Sequence, residues 1–287
     1  MFLKTLSTIA RVSLFVLPVA ALTTVNCGGS DSGGKGGSTG TAGTSGGGST
    51  GSGGSGAIAC MPVSPTAADS TIMDWETSKV GDVNSSFGMY MDGTYGGGTF
   101  QYPGPTSGAC DPTMHLCPNF DGKNWHLTGT VHDYSGFGIY FNKGVIWDVS
   151  MFAGLSFDIS GTFTAGAAGA APAASVTMSV TDLRHEVDSA HTADGRATCG
   201  TCAPSGGNEY DGSCAAPAKV IPFTSTPTTV MVTWNDLTDG RRPPNFQGES
   251  PDPTQVSHIA WALPWSGATA APYTIDITID NLKYIAK

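Results

Sequence analysis

Near the C-terminus runs Tyr273-Thr-Ile-Asp-Ile-Thr-Ile-Asp-Asn-Leu-Lys-Tyr-Ile285. Ile275, Ile277 and Ile279 alternate with Thr274, Asp276, Thr278 and Asp280. Successive strand side chains point to opposite faces, so this period of two describes a strand with one buried and one wetted face, as in an antiparallel sheet. Upstream, Leu155-Ser-Phe-Asp-Ile159 and Val176-Thr-Met-Ser-Val180 alternate in the same way. Further short strand signals lie at 71–76, 87–91, 125–131, 136–141, 229–234 and 256–263, separated by Gly-, Pro- and Asp-rich stretches. No long window has helical periodicity, and no repeat is evident. The pattern predicts an all-β fold, an antiparallel β-sandwich over residues 58–287.

The N-terminus differs in composition. Lys4 and Arg11 precede an apolar stretch, Val12 to Leu22, and the first 26 residues hold no acid. A basic start and an apolar segment too short to span a bilayer are the marks of a signal peptide over residues 1–26. Cys27 follows at once, where lipid attachment after cleavage is expected, although Asn26 stands where a small residue is usual. Residues 27–57 then comprise that cysteine and a run of Gly, Ser and Thr. Such a linker lacks apolar surface to offset its ordering entropy and is expected to be disordered, with a reach of about 30 Å. The expected address is the cell envelope, as an outer-membrane lipoprotein; without lipid on Cys27 the protein is secreted.

Export permits disulfides, and six cysteines remain beyond Cys27. Cys110 and Cys117 bracket a short loop and are expected to pair. Cys199, Cys202 and Cys214 share the long segment 183–217, so one of them must reach further, with Cys60 as the candidate partner. Cys199-Gly-Thr-Cys202 has neither a second CxxC nor a βαβ context, so a structural bridge is expected rather than a zinc or redox site.

The whole chain carries a formal charge of −10, which becomes −12 once the signal and its two basic residues are removed. No basic patch is present, which argues against nucleic acid and anionic lipid as partners. His185-Glu186 and His191 fail the metalloprotease pattern, because the histidines stand six apart in a Gly-rich loop. Outside the Gly/Ser linker, no serine sits in a Gly-x-Ser-x-Gly elbow.

Aromatic residues offer a different chemistry, since their faces pack on the C–H faces of sugar rings while neighbouring polar groups bond hydroxyls. Counting by two places Trp261 with Ile259 and Leu263 in the core and turns His258 to the opposite face. Trp125, Tyr134, Trp265 and Tyr95 adjoin loops and are the candidate stacking residues, with Asp92 and His258 as polar partners.

Several segments taken in order carry a resemblance: Met73-Asp-Trp-Glu76, Tyr90-Met-Asp-Gly-Thr-Tyr-Gly-Gly-Gly98, Gly136-Phe-Gly-Ile-Tyr-Phe-Asn142, Trp147 to Phe157, and Ile277-Thr-Ile-Asp-Asn-Leu-Lys-Tyr284. Over roughly residues 70–286 the chain resembles the galactose-binding-domain-like jelly rolls that include many carbohydrate-binding modules, most of all those on tethered envelope lipoproteins. The resemblance implies a structural Ca2+ between the first and last strands, at Glu76 and Asp280 with Asp74 nearby, a site suited to flexible oxygen coordination. It also implies a non-catalytic binding domain for a polysaccharide or other glycan. An envelope glycan hydrolase or lyase and an adhesive protein-binding sandwich are the competing expectations, since fold does not fix function.

Overall fold

The computed structural model describes residues 60–76, 79–80, 87–90, 94–104, 109–120, 123–141, 145–166, 169–192, 198–207, 213–238, 249–265 and 271–287. The signal, Cys27, the linker and Asp92 lie outside them. The strands in chain order are β1 (Pro62–Val63), β2 (Thr71–Met73), β3 (Lys79–Val80), β4 (Phe87–Tyr90), β5 (Gly98–Tyr102), β6 (Leu116–Phe120), β7 (Trp125–Val131) and β8 (Gly136–Tyr140). There follow β9 (Ile146–Trp147), β10 (Phe152–Ala165), β11 (Ser175–Asp182), β12 (Ala218–Pro222), β13 (Thr228–Thr233), β14 (Val256–Ala262) and β15 (Tyr273–Ala286). Among the described residues the helical element is one 3-10 turn, Trp234–Asp236.

These strands make two sheets. A nine-stranded sheet runs β1-β9-β14-β8-β5-β4-β3, with β11 pairing β14 and β12 pairing β11. A six-stranded sheet runs β13-β10-β15-β7-β6, with β2 on β15. The pairings are antiparallel except β1 on β9. The protein is therefore an all-β, two-sheet sandwich, as the alternating windows predict.

The inner faces meet in an aromatic core. Trp125 and Leu127 of β7, Ile275, Ile277 and Ile279 of β15, and Phe157 of β10 are buried from one side. Phe137 and Ile139 of β8, Met178 of β11, and Ile259 and Trp261 of β14 are buried from the other. Ring contacts bridge the sheets: Trp125 to Phe137 at 5.2 Å and Phe157 to Trp261 at 5.5 Å between centroids. Edge-on and offset packing of this kind contributes beyond area burial alone.

Strand β15 changes phase partway along. Tyr273 through Ile279 bury odd-numbered residues, whereas Leu282 and Tyr284 are buried after Asn281. Asn281 has φ 51°, and the pairing with β10 shifts register opposite it, between Ser156 and Asp158. One extra residue at a bulge swaps the faces, so the consecutive polar pair Asp280-Asn281 does not interrupt the core. Beside this bulge, the first expected strand stops early. β2 ends at Met73, and Trp75 takes φ 60° and tucks a fully buried indole against Trp125 at 6.1 Å.

The six cysteines form three bridges: Cys60–Cys199, Cys110–Cys117 and Cys202–Cys214. The long 183–217 segment is thus closed upon itself and tied to the start of the folded domain. Three disulfides are the framework of an extracytoplasmic protein.

Candidate functional site

The outer face of the nine-stranded sheet is unlike ordinary wetted sheet surface. In β5, Gly-Thr-Phe-Gln-Tyr, the polar Thr99 and Gln101 are the buried pair, and Phe100 and Tyr102 point outward. Tyr102 is 39% exposed. In β8, Gly-Phe-Gly-Ile-Tyr, the large Phe137 and Ile139 fill the core, which leaves Gly136, Gly138 and Tyr140 outside. The register sets Phe100 opposite Gly138 and Tyr102 opposite Gly136.

Glycine is required at both positions by the rings themselves. A Cβ on Gly138 would stand 2.5 Å from Phe100 Cζ and 2.5 Å from the Ile259 carbonyl oxygen. A Cβ on Gly136 would stand 2.6 Å from Tyr102 Cζ. Each ring therefore leans off β5 and lies against the bare backbone of β8, the cross-strand arrangement in which an aromatic covers a glycine. The two centroids are 6.3 Å apart and the planes differ by 17°, so the two rings are neighbours with nearly parallel planes. Burial of the Tyr102 phenol raises its pKa above the ordinary tyrosine value.

One row along, the face turns polar. Tyr140 of β8 stands opposite His258 of β14, and His258 stands opposite Thr181 of β11. His258 Nε2 lies 2.8 Å from the Thr181 hydroxyl, and its Nδ1 lies 3.3 Å from Glu186 Oε2. The Ser257 hydroxyl donates to the same carboxylate oxygen at 2.9 Å. The His258 ring meets Phe100 edge-on at 6.3 Å. Across the sheet from the rings, β14 offers Ala260 and Ala262, and β11 then presents Ser179 and Thr177.

Glu186 is positioned by a buried knot at the end of β11. The Asp182 carboxylate is fully buried and accepts from His185 Nδ1 at 2.8 Å, Arg184 Nη2 at 2.7 Å, the Arg184 backbone N–H at 2.9 Å and the Asp252 N–H at 2.6 Å. Burial alone would raise its pKa; the bonds from His185, Arg184 and Asp252 outweigh that and bring it down to about 2. Arg184 reaches on to Glu249 at 3.0 Å. The knot joins the disulfide-closed loop, the end of β11 and the segment that leads into β14.

The residues expected from sequence fall in different places. Trp125 is fully buried between Trp75, Phe137 and Trp261 and has no face to offer a sugar, so it is a core residue. Tyr95 is also core: its hydroxyl donates to the Asp69 carbonyl at 2.6 Å and its ring lies 4.7 Å from Trp147. Trp265 is half-buried and packs on the core margin. Tyr134 is 61% exposed in the turn before β8, two residues from Gly136. Among the described residues, His258 is the expected residue whose ring meets the pair, edge-on to Phe100. Phe100 and Tyr102 escaped sequence reading because Gly96, Gly97 and Pro103 flank them like loop punctuation. The signal that finds them is Phe-x-Tyr paired with Gly-x-Gly.

On the six-stranded sheet, Asp280 stands opposite Asp158. Burial raises the Asp280 pKa, and the charges of Glu76, Asp158 and Asp74 raise it further, against one bond from the Asn281 N–H at 2.7 Å. Asp158 is engaged by the Thr229 hydroxyl and by Asn281 Nδ2, the latter at 2.8 Å. These acids share a field, yet among the described residues no three His, Cys, Asp or Glu side chains are arranged to hold a metal ion.

No family model matches the chain, and no curated protein matches it. Among solved structures, the family 11 carbohydrate-binding module of the cellulosomal cellulase Lic26A-Cel5E of Clostridium thermocellum is similar at 13% identity and a TM-score of 0.36, over 73% of this chain and 95% of that one. The agarase AgWH50C is similar at 10% identity and a TM-score of 0.38, over 76% of this chain and 26% of that one. An exo-beta-agarase is similar at 15% identity and a TM-score of 0.36, over 76% of this chain and 25% of that one. The chain spans about a quarter of the length of either agarase.

Proposed function

We propose that this protein binds a neutral polysaccharide without cleaving it, on the outer face of the nine-stranded sheet. The observation that carries the reading is the Phe100–Tyr102 pair, nearly parallel and leaning over Gly138 and Gly136. Two adjacent apolar ring faces fit the C–H faces of neighbouring sugar rings, and the polar pair Tyr140 and His258 stands one row away. The rings are seated before any ligand arrives, so little side-chain entropy is lost on binding. The acidic chain, with Glu186 beside His258, favours a neutral glycan over an anionic one.

In this reading the domain is displayed from the envelope through a lipid on Cys27 and the Gly/Ser linker. Support comes from the basic start, the short apolar segment and the cysteine immediately after it. Replacing Cys27 with Ser should move the protein out of the membrane fraction; an unchanged distribution would refute the anchor.

The binding reading is tested by calorimetry of the disulfide-bonded domain against soluble neutral and acidic polysaccharides. Binding to a neutral polymer that is lost in the Phe100→Ala, Tyr102→Ala double variant is the expected result. No binding across the panel sinks the proposal. New reducing ends released from a bound polymer would replace it with the hydrolase reading.

A further inference from the structure

The placement of the two rings on a single strand bears on what kind of polymer they take and which way it lies. Residues two apart along a strand advance by about 6.8 Å, whereas neighbouring strands are about 4.8 Å apart. Phe100 and Tyr102 keep a 6.3 Å spacing and a 17° angle. Any chain that stacks on both rings has to run along β5 and has to present two successive sugar rings with nearly parallel faces.

Resting on the binding reading above, we infer that the site takes a flat, ribbon-like run of neutral pyranose units lying parallel to β5, not across the strands. A ribbon whose successive rings share a plane satisfies both stacking faces at once. A coiled chain, whose successive rings turn away from each other, satisfies one face and lifts off the other. The ends of the track are set by its neighbours. Beyond Phe100, Gly98 is flanked by Tyr140 of β8, with His258 of β14 next to it. Beyond Tyr102, the turn before Gly136 carries Tyr134, which is 61% exposed. A ribbon along β5 therefore meets, in order, the polar flank at Tyr140, two stacking faces and an exposed tyrosine. Along the perpendicular path from Phe100 toward β11 the chain would cross Gly138, Ala260 and Ser179, which are flat but offer no second ring; toward β4 it would reach the position of Phe87 and leave Tyr102 unused.

Both parts, ribbon shape and axis, are tested with defined hexasaccharides in calorimetry on the disulfide-bonded domain. The ribbon probes are β-1,4-linked glucose, mannose and xylose; the coiled probe is α-1,4-linked glucose. The expected result is binding of at least one ribbon probe in preference to the coiled one. Phe100→Ala and Tyr102→Ala should each weaken it about tenfold, the scale of a single aromatic contact. Ser179 lies three strands from β5, about 14 Å away, so Ser179→Trp should leave ribbon binding within about twofold of the parent while blocking a cross-strand path. Ser179→Arg serves as a second block, and melting curves report whether either variant is folded. Loss of ribbon binding in both folded Ser179 variants overturns the axis. Preference for the coiled hexamer, or binding only to polymers outside the ribbon set, overturns the ribbon inference while the polysaccharide reading stands. No binding to any carbohydrate overturns both.

Discussion

The ring of Phe100 fills the space that a side chain at Gly138 would need. The two are direct cross-strand partners, and a Cβ on Gly138 would stand 2.5 Å from the ring and 2.5 Å from the Ile259 carbonyl. The ring can rise out of the way but the carbonyl cannot, so Gly138→Ala should both tilt Phe100 and press on β14. A melting temperature lowered by about 1–3 kcal/mol of destabilisation is expected from such overpacking, together with weaker polysaccharide binding. Wild-type affinity in Gly138→Ala would show that the seating of Phe100 is not used.

Asp182 supports the same face from below. Replacing it with Asn leaves Arg184 and His185 facing a neutral partner, and a loss of about 3–5 kcal/mol is expected from breaking a buried, charge-paired network. Chemical denaturation of Asp182→Asn beside the parent measures this. A cost under about 1 kcal/mol would show that the knot is not what holds the 249–252 segment to β11.

The same carboxylate sets an acid limit. Its folded pKa of about 2 lies below the value of an unfolded aspartate. Its contribution is therefore complete above about pH 4 and is lost as pH falls toward 2, on the order of 2 kcal/mol in all. Stability of the parent should decline through that window, and the decline should be smaller in Asp182→Asn. Equal acid slopes in both proteins would contradict this.

Asp280 has the opposite sign. Its folded pKa is raised by burial and by Glu76, Asp158 and Asp74, so the folded protein holds the proton more tightly than the unfolded chain does. The ionised form is a burden at neutral pH, and its removal stabilises the fold as pH drops through the raised pKa. Asp280→Asn should melt higher than the parent at pH 7, with the difference closing in acid. A lower melting point at pH 7 would mean that the carboxylate has a favourable partner, and adding Ca2+ or chelator to the parent would identify a cation as that partner.

The disulfides differ in reach. Cys60–Cys199 spans 139 residues and Cys110–Cys117 spans seven. Loop-closure entropy then predicts losses of about 5 and about 2 kcal/mol on replacing each pair by Ser. Denaturation of the two double variants orders them; a larger loss for the short loop would show that strain and packing dominate.

The amino-acid sequence by itself determined the sheet character, because alternation is a local property that needs no partner to be seen. Ile275, Ile277 and Ile279 are buried and Thr274 and Asp276 are wetted, as their spacing requires. It also determined that six cysteines would pair in an exported domain and that Cys110 would meet Cys117, since a seven-residue separation needs no knowledge of the rest of the chain. What the fold alone decided is which residues meet across strands. Trp125 and Tyr95 stand at loop borders in the sequence, yet the second sheet and the β2 turn close over them, and burial depends on what arrives from the other side. Phe100 and Tyr102 form a short apolar pair between glycines and a proline, without enough alternation to declare a strand. Only the pairing of β5 with β8 in one register sets them over Gly136 and Gly138, and a shift of β5 by a single residue would turn both rings to the core face.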